Sequence, residues 1–219
     1  MEHIVRSSIT KHLESNNILN DVQHGFRKNR SCETQLIAFT QDLYSELDRN
    51  GQTDIVLLDF AKAFYKVPHK TLLQKIEAIG IRGKKLSWIA AFLDDRTQQV
   101  VINGEISELG EVTSGVPQGS VRGPILFLIY INDLPDRIRS QVCLFADDTA
   151  LYRHISNVED CIILNDDLAL LQEWETNHQM EFNVSKCNVL TICNKKSPVL
   201  FEYQLHGQGL QHVQSARYL

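Results

Sequence analysis

Two short apolar runs, Val142–Phe145 and Thr149–Tyr152, are separated only by Ala146-Asp147-Asp148. Nothing else in the chain restricts its folding so strongly. Runs of this length broken by a tight turn read as neighbouring strands of one hairpin. Both runs are apolar, so the strands belong in a core while their turn carries two carboxylates. A third strand-like run, Gln52 to Phe60, holds Ile55-Val56-Leu57-Leu58 and carries Asp59 at its edge.

Helical spacing surrounds these strands. Pro68 stands at a first helical position, followed by Leu72, Leu73, Ile76 and Ile79 up to Gly80. Leu86 to Asp94 reads as a second short helix. Gln98–Ile102 and Glu105–Leu109, joined by Asn103-Gly104, form the clearest hairpin signal. Gly123-Pro124 opens a segment whose run Ile125–Ile131 is apolar throughout, as helix or strand. Asn157 can cap a long amphipathic helix bearing Leu164, Leu168, Leu171 and Trp174, and Phe182 to Ile192 returns to strand. Its acids from Glu159 to Glu175 read as a solvated face. The pattern is α+β.

Composition sets bounds. With 219 residues, 43% hydrophobic and 22% charged, the chain is one large domain or two intimate ones, not a disordered tract. The longest clear apolar run has seven residues, short of the ~18 of a membrane-spanning helix, so no membrane partner is expected. Met1 to Lys11 lacks a signal-peptide core, and five cysteines without a Cys-x-x-Cys pair suit reduced thiols. An intracellular, non-secreted location is therefore expected. Eight histidines show no ligand spacing, which gives no reason to expect zinc. The net charge of −5 hides an asymmetry. Asn157–Glu181 holds seven acids and no Lys or Arg, whereas Ala61–Leu86 holds seven bases and one acid. A polyanion needs a local basic surface rather than a basic average.

Singly, an Asp at a strand end is a cap and Asp-Asp in a turn is a solvated turn. Together, Asp59 at a strand end and Asp147-Asp148 in a hairpin turn make a two-metal arrangement. Such carboxylates hold divalent ions ~4 Å apart, one activating a hydroxyl and one steadying a leaving pyrophosphate. Mg2+ suits this, since it takes few carboxylates and completes its shell with water and phosphate oxygens; Mn2+ is the natural substitute. Ser114-Gly115-Val116-Pro117-Gln118-Gly119-Ser120 adds a rigid loop ahead of the apolar segment. Its Gln118 offers an amide to a ligand.

Residues 59–64 with Val67-Pro68-His69, residues 114–120 with Gly123-Pro124, and Phe145-Ala146-Asp147-Asp148 resemble motifs A, B and C of reverse transcriptases of non-LTR, jockey-like retrotransposons. Gln23-His24-Gly25-Phe26-Arg27 through Arg30-Ser31 is similar to the family's fingers motif, and Trp174, Asn183 and Lys186-Cys187 to its motif D region. The resemblance implies a right-hand polymerase fold over residues 1–219. Fingers would lie at about 1–52 and 83–113 and palm at about 53–82 and 114–196. Residues 197–219 would be a truncated lead into the primer grip, with the thumb absent or truncated. It implies an RNA-directed DNA polymerase acting on an RNA template, a DNA primer and dNTPs with Mg2+. Asp59, Asp147 and Asp148 match the catalytic and metal-binding acids, and Phe64 the steric gate against a ribose 2′-hydroxyl. Gln118 and Gly119 match the residues lining the nucleotide. Arg27 and Arg30 suit the triphosphate or template backbone, and Lys186 the leaving phosphate or a solvated strand edge. The nucleus and a polyprotein carrying an endonuclease and a thumb follow from the same resemblance.

Two residues depart from the pattern. Tyr65 stands where the family has a second Asp, and Arg122 where Leu precedes Gly-Pro. They support an alternative, a decayed polymerase-like fragment that binds nucleic acid without catalysing. A telomerase-like or group II intron enzyme is the same-class alternative, against which the pattern from Val116-Pro117-Gln118-Gly119-Ser120 through Gly123-Pro124 to Asn132-Asp133 speaks.

Overall fold

A computed structural model describes residues 2–117, 120 and 123–219. In chain order the elements are α1 (Glu2–Ser15), α2 (Cys32–Asp48), β1 (Gln52–Leu58), α3 (Ala63–Lys66), α4 (His69–Ala78) and α5 (Lys84–Leu93). Four two-residue strands follow, β2 (Thr97–Gln98), β3 (Val101–Ile102), β4 (Glu105–Ile106) and β5 (Gly110–Glu111), then α6 (Gly123–Ile131). The rest comprises β6 (Gln141–Phe145), β7 (Asp148–His154), α7 (Val158–His178), β8 (Asn188–Cys193), β9 (Gln204–Leu205), β10 (Gln208–Gly209) and β11 (Gln211–His212). They divide into two compact units, Met1–Leu19 with Lys62–Ile131, and Asn20–Ala61 with Asn132–Leu219.

The second unit is built on a five-stranded sheet ordered β11-β8-β1-β7-β6. β1 lies at its middle, antiparallel to both β7 and β8, which explains its near-continuous apolar run. On one face Ile55, Ala150 and Tyr152 pack with Phe39 and Leu43 of α2. On the other, Val56 pairs with Leu151, both fully buried, and α7 lies on β7. A fully buried aliphatic side chain of this kind contributes about 1.5–3 kcal/mol. Asn157 caps α7 as expected, its Oδ1 accepting from the Asp160 N–H at 3.2 Å. Trp174 is buried on the stripe and donates through Nε1 to Asp133.

Several expectations need correction. The acidic face of α7 is not uniformly solvated, because Asp167 and Glu175 are buried. Asp167 accepts the backbone N–H groups of Ser140 at 2.8 Å and Arg139 at 3.2 Å. The carboxylate thus satisfies donors that the turn into β6 leaves open. The Phe182–Ile192 segment is not one strand. Phe182 makes a single bridge to Phe60, a 3-10 turn occupies Val184–Lys186, and the strand begins at Asn188. β1 likewise stops at Leu58, two residues early.

In the first unit α4 packs against α5 and α6, with Leu72, Ile76, Ile89 and Leu93 buried. The Ile125–Ile131 run is a helix, and every residue of it is buried. A helix apolar all round has no solvent face to keep polar. The Asn103-Gly104 turn forms with φ of 52° and 88°, but its ladder is only two pairs long.

Candidate active site

Leu58 of β1 is the cross-strand partner of Thr149 of β7. The next residue along β1, Asp59, and the preceding residue along β7, Asp148, therefore leave the same end of two paired strands. Asp147 completes the β6–β7 turn beside them. Asp59, Asp148 and Lys186 line one cavity of about 410 Å3, which Arg217 and Tyr218 also border. The backbone fixes this end of the sheet from below, as Asn183 donates its N–H to Asp59 O at 2.7 Å.

The electrostatics follow from this crowding. Burial raises the pKa of Asp147, and the charge of Asp59 adds to it. Burial also raises that of Asp148, helped by the charges of Asp147 and Asp59. Oδ2 of Asp59 is buried and accepts no hydrogen bond, although Nζ of Lys186 stands 3.1 Å away as an ion-pair contact. Lys186 itself has a side chain 64% exposed, so it can swing off Asp59 without disturbing the core. Burial pushes the neighbouring Cys187 thiol up to about 11, leaving it a neutral wall of the site.

Hard divalent cations suit these donors. Acids whose charged forms are disfavoured by burial and by a neighbouring carboxylate are relieved by positive charge, which Lys186 already supplies to Asp59. Among the described residues no group of three or more His, Cys, Asp or Glu side chains is gathered closely enough to hold a metal ion.

The remaining expected residues fall in two places. Arg27 and Arg30 belong to the same unit as the acids. Arg27 Nη1 donates to Asn20 O at 2.8 Å, and Arg30 pairs with the Asp21 carboxylate at 2.7 Å and contacts Asp21 O. Both guanidinium groups are held by the 20–23 backbone. Phe64 belongs to the other unit, where Lys62, at φ 57°, turns the chain into α3. The ring stacks on Phe127 with centroids 4.4 Å apart. Val116 donates to Phe64 O and Gly115 to Val67 O, both at 2.7 Å. Gly115 has φ +89°, and a Cβ there would lie 2.7 Å from Tyr65 O. The loop leading to Gln118 is therefore docked on the Phe64 helix. Gln118, Gly119 and Arg122 lie outside the described residues. Tyr65 is 56% exposed.

Sequence reasoning missed one buried neighbour. Gln23 accepts through Oε1 from the N–H of Ala146, at 2.9 Å, in the acidic turn. A glutamine two residues before a glycine, next to two arginines, was the available signal.

Residues 1–219 match the family described as Reverse transcriptase (RNA-dependent DNA polymerase). The chain is 25% identical over its whole length to the RNA-directed DNA polymerase from mobile element jockey of Drosophila melanogaster, covering 25% of that protein. It is 28% identical, again over its whole length and 25% of the relative, to the probable RNA-directed DNA polymerase from transposon BS of the same fly. It thus spans about a quarter of the curated relatives it matches. In structure, an apo telomerase from Candida tropicalis aligns with a TM-score of 0.64 at 13% identity, over 95% of this chain and 43% of that one. The family match over the full chain shows that the protein belongs to the reverse transcriptase (RNA-dependent DNA polymerase) family, and its relatives liken it to the non-LTR mobile-element members.

Proposed function

We propose that the chain is the polymerase portion of a non-LTR retrotransposon protein, adding dNTPs to a DNA primer 3′-hydroxyl on an RNA template. The observation that carries this reading is the placement of Asp59 and Asp148 at the same end of two paired strands, lining one cavity, with Asp147 in the adjoining turn. Asp59, Asp147 and Asp148 would hold Mg2+, or Mn2+ in its place. When bound, such ions activate the primer hydroxyl and neutralise the leaving pyrophosphate. Lys186 would exchange its Asp59 partner for an oxygen of the leaving phosphate. Phe64 closes the space a 2′-hydroxyl would need, while Gln118 and Gly119 line the sugar. Arg27 and Arg30 exchange carbonyl partners for phosphate oxygens, which a guanidinium fork fits better. Fingers at about 1–52 and 83–113 and palm at about 53–82 and 114–196 belong to the proposal, whereas the two compact units divide the chain after Leu19, Ala61 and Ile131. An endonuclease and a thumb are the further parts of the polyprotein, and the nucleus is where its product would be used.

Primer extension on poly(rA)/oligo(dT) with Mg2+, with binding measured in parallel, tests this. Asp147→Asn should lower the rate about 10³-fold, the worth of several kcal/mol of lost charge stabilisation, with binding unchanged. Extension that is indifferent to Asp147 ends the proposal. Tyr65 favours a second reading, a chain that binds without catalysing, because a phenol supplies no charge at pH 7 where the family has a carboxylate. If so, Tyr65→Asp raises the rate at saturating substrate. Its 56% exposure means the change leaves the fold intact.

A further inference from the structure

Gln23, His24 and Gly25 make contacts that the assignment of acids, arginines and gate does not use. Gln23 is 3% exposed. Its Oε1 accepts two N–H groups, from Gly25 at 2.7 Å and from Ala146 at 2.9 Å. Its Nε2 donates to Ala146 O at 3.4 Å. On the backbone, His24 donates to Leu144 O at 2.8 Å and Leu144 to Val22 O at 3.0 Å, which lays the segment parallel to the end of β6. Gly25 is pressed so closely on the turn that a Cβ would stand 2.3 Å from Ala146 N. Only glycine allows that approach.

Ala146 itself has φ 54°, a left-handed conformation that alanine does not adopt unaided. We infer that Gln23 is a positioning residue for the acidic turn: its side-chain amide holds Ala146 left-handed and thereby fixes where Asp147 stands against Asp59. Gly25 serves the same end by yielding the space. This deepens the polymerase reading and rests on it for what the turn is for, but not for what holds the turn. Water would satisfy the Ala146 N–H of an ordinary solvated turn and leave it free to relax. A buried amide gripping both N–H and C=O of one residue does not. The side chain is thus specified in detail: an acceptor able to serve two donors, with a donor at the same centre.

Hydrogen exchange of the whole chain followed by NMR, together with Mn2+ affinity by EPR, tests the inference. In the wild type the Ala146 amide should exchange at least 100-fold more slowly than an open turn amide, although it sits in a turn. Gln23→Leu should remove that protection and weaken Mn2+ binding about tenfold. Gln23→Glu, which keeps an oxygen for both N–H groups but loses the donor to Ala146 O, should speed exchange less than Gln23→Leu does. Leu164→Ala, a cavity in α7 away from the turn, should lower the Tm while leaving Mn2+ affinity as it was. Fast Ala146 exchange in the wild type overturns the inference without any variant having to fold. So does Gln23→Leu with wild-type exchange, or Leu164→Ala weakening Mn2+ as much as Gln23→Leu does. If the wild type binds no Mn2+, the polymerase reading fails, and exchange at Ala146 alone decides the role of Gln23.

Discussion

Folding raises the pKa of Asp147 and Asp148, in both cases chiefly by burial, with the charge of Asp59 adding to each and that of Asp147 adding to Asp148. An acid whose folded pKa exceeds its unfolded value penalises folding at pH above both, and the penalty is relieved as pH falls through the folded pKa. Asp147→Asn should therefore raise the Tm at pH 7. That advantage should vanish by about pH 3, where the wild-type acid is itself protonated. A Tm series across this range checks it, and a variant less stable than wild type at neutral pH contradicts a crowded site. Phe64 offers a second test at this scale. Its ring is held in place by Phe127 at 4.4 Å, so it presents a fixed wall. Phe64→Val should relax discrimination against ribonucleotides by about 10–100-fold, the worth of one steric misfit. Single-nucleotide incorporation with dNTP and rNTP measures it, and an unchanged ratio removes Phe64 from that role.

Elements differ in how far the sequence disclosed them. The β6–β7 hairpin and the Asn157-capped α7 were legible because each rests on a local signal, apolar runs about a turn in one and a cap with a stripe in the other. The placement of Asp59 just past a strand end and of Asp147-Asp148 at a hairpin turn was legible too, since strand ends and turns follow from the same runs. The break at Phe182 was not, because it depends on Phe60 stacking on it at 4.2 Å, across the fold. The burial of Asp167 was hidden for a similar reason. Its partners at Arg139 and Ser140 are 28 and 27 residues away, and no periodicity reports a need for acceptors. Gln23 belongs to this class as well. Such a buried cap carries a definite cost on removal. Asp167→Ala strands the Ser140 and Arg139 N–H groups and should destabilise the fold by about 2–3 kcal/mol, read from urea midpoints. A loss no greater than an exposed substitution on α7 would show that water serves those donors instead.

Across the whole molecule charge is unevenly divided. The unit formed by 1–19 and 62–131 has eleven Lys and Arg against eight Asp and Glu, and the other has eleven against nineteen. A net −5 protein binds nucleic acid only through local basic surfaces. Its affinity for primer–template should fall by about 10–100-fold between 50 and 200 mM salt, corresponding to a few phosphate contacts. A longer version carrying the rest of the relatives' length should show a steeper slope. Fluorescence anisotropy against salt measures both, and equal slopes would mean that the added length touches no phosphate. One contact has a bearing on how such chains diversify. Gly25 and Ala146 are 121 residues apart in sequence, yet they press together with no room for a methyl group between them. The two segments are therefore a single unit of inheritance. A lineage that enlarges residue 25 must reroute residues 145–147 in the same step. A recombinant joining residues 1–61 of one element to the remainder of another would pass on a turn and a brace that were never shaped for each other.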